Sequence, residues 1–198
     1  MPDIGEETEY ADRLASNADQ LKDAWEATLE EMRAIAAELE AEGWDVTAVS
    51  AVNTAPTNPE AGESDRFGLV HVVADNRAED FRGAFERGTG ASPESEDGEV
   101  TELGGFERYE VFRTEAGGSA FQVTVLYADE PRVAIVLAGG YELAFAQGMI
   151  RTAIERDEMY THVQTLDKTH LGSFRHEDWE LFFPEARQRF GIGEDDEE

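Results

Sequence analysis

The sequence predicts an α+β fold: a mostly antiparallel sheet of five to seven strands with two main helices packed on it. Apolar residues recur at helical spacing over residues 21–39 and again over 143–154. Between them, three strand-like runs within residues 106–138 are separated only by short connections containing Gly or Asp, the signature of an antiparallel meander. Strands grouped without intervening helices argue against a doubly wound parallel sheet. The length of 198 residues fits one domain. A chain of this size buries about 70 % of its unfolded surface.

The chain opens with a polar stretch, followed by a strong helix that Ser16 or Asn17 can cap. Leu21, Trp25, Leu29, Met32, Ile35 or Ala36, and Leu39 form its inward stripe. Asp23, Glu26, Glu30, Glu31, Glu38 and Glu42 form the outward face, and Gly43 serves as the residue that ends it. A strand is expected over 44–52, then a loop over 53–65 containing Pro56, Pro59 and Gly62. The run 67–74 is nearly all apolar and reads as a central strand. Asn76 with Glu79 resembles a capping box for a short helix that turns Phe81, Ala84 and Phe85 inward. An acidic loop is expected over 88–99.

The meander strands are placed at 106–114, 120–127 and 132–138. In the middle one, Phe121, Val123, Val125 and Tyr127 alternate with Gln122 and Thr124, as in a sheet with one better-covered face. After Gly139 and Gly140 comes the second main helix, 142–157, then a last strand over 159–166. A looser aromatic tail follows, with Phe174, Trp179, Leu181, Phe182 and Phe183. The expected organisation is an acidic flexible N-terminus over 1–15, a single α+β domain over 16–190 and an acidic flexible tail over 191–198.

Charge is the most informative compositional feature. Acidic side chains outnumber basic ones 45 to 16, a formal net charge of -29. Lys22 and Lys168 are the only lysines. Like charges at this density favour expansion at ordinary ionic strength, whereas at molar salt the Debye length falls to about 3 Å and screening removes most of the repulsion. Apolar residues make up 40 % and aromatics 10 %, and the acids are dispersed, so the imbalance describes a folded domain rather than a disordered one. The chain therefore reads as a cytoplasmic protein of a cell whose interior is rich in K+. Its start has neither a basic region nor an apolar one, so no secretory signal is expected. The longest apolar stretch, 133–138, is too short to span a bilayer. Nucleic acid and anionic membrane are excluded as partners by the charge, because Arg77, Arg82 and Arg87 are interleaved with Glu79, Asp80 and Glu86 and no basic patch stands out.

Chemical signatures are sparse. Without cysteine there is no disulfide, thiolate nucleophile, Fe–S cluster or Cys-based zinc site. Walker, GxGxxG, GxSxG and HExxH patterns are absent, so no cofactor is expected. The densest polar constellation is His162, Asp167, His170, His176, Glu177 and Asp178. Imidazoles with carboxylates can close a metal site or supply an acid–base pair, which makes His162, His170, His176 and Asp178 the candidate catalytic residues. Their spacings match no known ligand pattern, and a hydrogen-bonded structural histidine is the commoner case for His162 in its strand, so no metal is expected. Trp179, Leu181, Phe182 and Phe183 are too apolar for solvent. They either fold back on the sheet or form a contact surface for another chain.

The segments Trp25 to Met32, Gly43-Trp44-Asp45-Val46, Asp65-Arg66-Phe67-Gly68-Leu69, Tyr160-Thr161-His162-Val163 and Phe174 to Asp178 with Phe182-Phe183 resemble a family of haloarchaeal proteins of unknown function, over about residues 20–185. The resemblance implies a halophilic cytoplasm and no assigned activity. The expected function is a non-enzymatic binding or adaptor domain with a protein partner or self-association. The alternative is a small metal-dependent or acid–base enzyme using the C-terminal cluster. Convergence of the histidines around one concave pocket separates the two.

Overall fold

The computed structural model describes residues 4–60, 67–90 and 105–189. The predicted flexible tail, the acidic stretch 91–104 and the Asp65-Arg66 pair lie outside the described residues. The elements are α1 (Ile4–Ala41), β1 (Asp45–Ser50), β2 (Asn53–Thr57), β3 (Gly68–Val73), α2 (Asp75–Thr89), β4 (Arg108–Ala116), β5 (Ser119–Ala128), β6 (Val133–Glu142), α3 (Gln147–Arg156), β7 (Met159–Thr165), β8 (His170–His176) and α4 (Ala186–Arg189).

The fold is α+β, but the strands form two four-stranded sheets rather than one. The first has the order β1-β6-β5-β4 and the second β2-β3-β7-β8. Each is mixed: β1 runs parallel to β6 and β3 parallel to β7, while the other pairings are antiparallel. The β4-β5-β6 meander is where the sequence places it. The segment expected to be a loop after residue 52 contains β2, an edge strand, where Pro56 is tolerated. The tail expected to be loose contains β8, with Phe174 in the middle of it.

Helix α1 covers one face of the first sheet. Thr28, Met32, Ala36 and Leu39 are buried and Trp25, Leu29 and Ile35 partly so, at the spacings of a single stripe. They meet Val123, Val125 and Tyr127 of β5 and Ala134, Val136 and Ala138 of β6. The helix already runs through Ser16 and Asn17, so neither is its cap. Its C-terminus closes as expected: Gly43 has φ 92°, Gly43 N–H donates to Glu40 O at 3.0 Å and Trp44 N–H to Leu39 O at 3.0 Å, the paired bonds of a Schellman motif.

The other face of the first sheet looks toward the second. Helix α2 is wedged there, with Phe81 and Phe85 packed on Phe106 and Phe174. It starts at Asp75 after Ala74, which makes no side-chain cap, so the Asn76–Glu79 capping box does not form. Helix α3 fills the remaining interior with Met149, Ile150 and Ala153 against Leu69, Met159 and Trp179. A short turn at Leu143–Phe145 precedes it, where a continuous helix from 142 was expected. Because both faces of β5 are covered, all of its residues are buried, including Gln122 and Thr124, whose side chains bond to each other at 3.2 Å.

Candidate functional site

Strand alternation decides where the candidate histidines lie. Neighbouring residues of a strand point to opposite faces. On β7, Met159, Thr161 and Val163 face the interior, as do Phe174 and His176 on β8. His162 and Ser173, directly opposite each other in the ladder, face the other way. The four sequence candidates are therefore split. His162 and His170 meet through Ser173 on the outer face: Ser173 Oγ is 2.7 Å from His162 Nδ1 and 3.1 Å from His170 Nε2. His162 Nε2 lies 3.0 Å from the Phe67 carbonyl, and the residue is only 2 % exposed.

His176 is on the inner face and buried. Its Nε2 bonds Thr161 Oγ1 at 2.7 Å and its ring packs on Tyr109 and Phe182. Burial, then the neighbouring His162 and His71, bring its pKa down to about 3, so it is neutral at physiological pH. Asp178 is exposed beyond the strand end, where its backbone N–H donates to Tyr109 Oη at 2.8 Å. The sequence cluster thus falls on two sides of a sheet. Among the described residues, no group of three His, Asp or Glu is placed to hold a metal ion.

His71 was not singled out by the sequence. It sits on the inner face of β3, fully buried, with Nδ1 3.0 Å from Thr54 Oγ1. Burial is the main cause of its pKa falling to about 3, with His162 adding to it. His71 Nε2, His176 Nδ1 and Gln122 Oε1 are buried without a hydrogen-bond partner among the described residues. The only sequence signal at His71 was a polar residue inside an otherwise apolar strand.

The aromatic tail folds back. Trp179, Phe182 and Phe183 are buried in the α3 core, and Trp179 Nε1–H donates to Asp157 Oδ1 at 2.9 Å. Of the four residues proposed as a contact surface, only Leu181 is exposed, at 47 %. The side chains that do face solvent are elsewhere. Between α1 and the β1–β2 connection lies an open groove of about 870 Å3. Leu21, Lys22 and Trp25 form one wall and residues 51–56 the other. Phe121 and Gly140 lie in it, and Tyr141, Glu142 and Phe145 line its end. Phe145 is 71 % exposed and Val52 59 %. The sequence hid this site because Trp25 reads as one more core residue of the helix stripe.

Surface arginines are held by carboxylates: Arg87 by Asp45, Arg108 by Asp129, Arg175 by Glu158 and Glu177, and Arg189 by Glu115. Among the described residues no helix is long and apolar enough to cross a membrane.

The chain belongs to a family of unknown function, DUF7529, whose family model matches residues 11–184. No curated protein and no solved structure gives a significant match.

Proposed function

We propose that this member of the family is a non-enzymatic binding or adaptor domain of a salt-adapted cytoplasm, and that it takes its partner or ligand in the α1–β2 groove. The observation that carries this reading is the groove itself. An open concavity with apolar and aromatic walls and few polar groups is the usual form of a binding site. The exposed Phe145 at its end is a large apolar side chain for which the fold finds no cover. The sequence-derived histidine cluster, by contrast, is divided between two faces of a sheet, and none of its residues lines the groove. The acidic surface fits a solvent of molar K+, in which apolar contacts are retained while long-range charge is screened.

Affinity capture at about 2 M KCl tests this, with the wild-type chain and a Phe145→Glu variant as paired baits and mass spectrometry of both proteins and small molecules. A partner or ligand held by the wild type and lost by the variant is expected. Identical sets on both baits, with the variant folded by circular dichroism, would refute the groove as the binding site.

A further inference from the structure

With 45 acidic side chains to 16 basic ones, an arginine of this chain should seldom have to share a carboxylate. Arg175 indeed has two, Glu158 and Glu177, and Arg187 has Glu180 at 3.1 Å and Asp157 at 3.9 Å. On β4, an edge strand of the first sheet, the ratio is inverted. Arg113 Nη1 lies 2.7 Å from Glu115 Oε1, and Arg189 of α4 donates to the same carboxylate from Nη1 at 3.1 Å and Nη2 at 3.3 Å. Two guanidiniums thus converge on a single acid, with Glu185 also acting electrostatically on Arg189. The Arg113 side chain is only 11 % exposed, and its Nε–H is buried without a hydrogen-bond partner among the described residues. A buried donor left unpaired is costly, so the pair holds more donors than Glu115 satisfies.

Beside this pair lies a cavity of about 230 Å3. Arg113 and Arg189 line it together with the apolar side chains of Leu143, Ile150 and Phe183. Gln147, the first residue of α3, lines it as well, which puts the positive end of that helix next to the arginines. The N-cap of α3, Ala146, offers no side-chain oxygen to the first turn. Walls that are apolar except for two guanidiniums, an amide and a helix N-terminus select an anion carried on a hydrocarbon body. We propose that this cavity is a second binding site, for a small monocarboxylate with an apolar body. The carboxylate accepts from N–H groups of Arg113 and Arg189 that Glu115 leaves over, the pairing for which the planar guanidinium is suited. The body packs on Leu143, Ile150 and Phe183.

Volume sets the size of the ligand. Sites for drug-sized molecules run to about 300–1,000 Å3, so this one admits a body no larger than a single ring or a short branched chain. Charge and wall chemistry set its class. Phosphate would gain the arginines but leave the apolar walls uncovered, whereas an alcohol of the same shape would cover the walls and leave the guanidiniums with Glu115 alone. None of the lining residues belongs to the groove between α1 and β2, so the site goes beyond the binding reading and does not depend on it. It asks for recognition and no chemical step, in keeping with a domain that binds.

Potassium benzoate is the probe, titrated into the isotope-labelled full chain in about 2 M KCl and followed by NMR. Chloride is already molar in that buffer, so any response to benzoate is a preference over it. Saturable shifts are expected at the backbone amides of Gln147, Ile150 and Phe183 and at Arg113 Nε–H, with a dissociation constant of about 1 mM. Trp25 and Ala55, in the groove, should not respond. Benzyl alcohol and inorganic phosphate, each lacking one half of the recognition, should bind at least about tenfold more weakly. Arg189→Gln, at a half-exposed position, should keep its melting curve and weaken benzoate about tenfold by removing a charge-assisted contact. The proposal fails if benzoate shifts no resonance around the cavity at concentrations well above that constant, or if benzyl alcohol or phosphate binds as tightly. It fails equally if a folded Arg189→Gln chain binds benzoate as the wild type does. Should Arg189→Gln not fold, the three wild-type titrations decide alone. Shifts confined to the groove would overturn this site and leave the groove reading intact.

Discussion

Gly139 on β6 faces His71 on β3 so closely that a methyl group added at Gly139 would lie 2.6 Å from the imidazole ring. The same methyl would lie 2.6 Å from Thr54 Oγ1, so the glycine makes room for the hydrogen-bonded Thr54–His71 pair where the two sheets approach. Gly140 performs the equivalent service on the opposite face, where a methyl would lie 2.8 Å from the Phe121 ring. The Gly-Gly pair, which reads in the sequence as the end of a strand, is thus the interior of one. It admits a polar pair on one side and an aromatic wall of the groove on the other.

Gly139→Ala should therefore destabilise the protein by about 1–3 kcal/mol, the usual cost of overpacking a filled interior. Adding Thr54→Ala, which removes the clashing atom of one of the two side chains involved, should recover part of that loss and give a non-additive double-mutant cycle. Guanidinium melts in high KCl measure both. A Gly139→Ala chain as stable as wild type would show that the sheets separate freely at this point.

The α1 stripe makes a graded prediction. Leu39 is 7 % exposed against the first sheet, so Leu39→Ala should cost about 2–5 kcal/mol. Leu29 is only partly buried, and Leu29→Ala should cost less than Leu39→Ala. Glu30 is exposed on the opposite face, and its replacement by alanine should stay within about half a kcal/mol of neutral. Equal losses at Glu30 and Leu39 would mean that the helix packs on two sides.

Local signals carried the legible part of this fold. The α1 stripe, its glycine stop, the apolar β3 and the three-stranded meander all depend on residues within a few positions of each other. What escaped was non-local. The parallel pairings β1 with β6 and β3 with β7 join segments more than eighty residues apart, and no periodicity records them. The second sheet also explains why Gln122 and Thr124, which look like the solvent face of β5, are buried. At the candidate site, His162, His170 and His176 were legible as residues, but their division between two faces followed from the register of β7 with β8. Ser173 carries no signal of its own until that register sets it opposite His162.

The net charge of -29 predicts steep salt dependence. The melting temperature should rise from about 0.1 M to above 1 M KCl, because screening removes repulsion among like charges on a small surface. The exposed ion pairs, such as Arg108 with Asp129, work against this trend by being screened themselves, but each is worth at most about 1 kcal/mol. Circular dichroism melts across the KCl series measure the net effect. A flat midpoint would show that the acids are accommodated without salt.

Acid should unfold the protein through His71 and His176. Both are fully buried, and burial is the main cause that lowers each pKa from 6.5 to about 3. The unfolded chain takes up a proton on each ring near pH 6.5, and the folded chain refuses it until about pH 3. Above pH 6.5 neither state is charged at these positions and they contribute no pH dependence. Between about pH 6.5 and 3 the unfolded state binds more protons, so stability falls as pH falls, by up to about 1.4 kcal/mol per pH unit for each histidine. Carboxylate protonation acts in the opposite direction by relieving self-repulsion, and molar KCl reduces that contribution. Denaturant titrations in high KCl between pH 4 and 7 should show the fall in the wild type and a shallower one in a His71→Gln variant. Ring resonances of His71 and His176 in the folded protein should not titrate above pH 4 by NMR. A midpoint near 6.5 for either ring would show that it reaches water, and the acid sensitivity would then need another source.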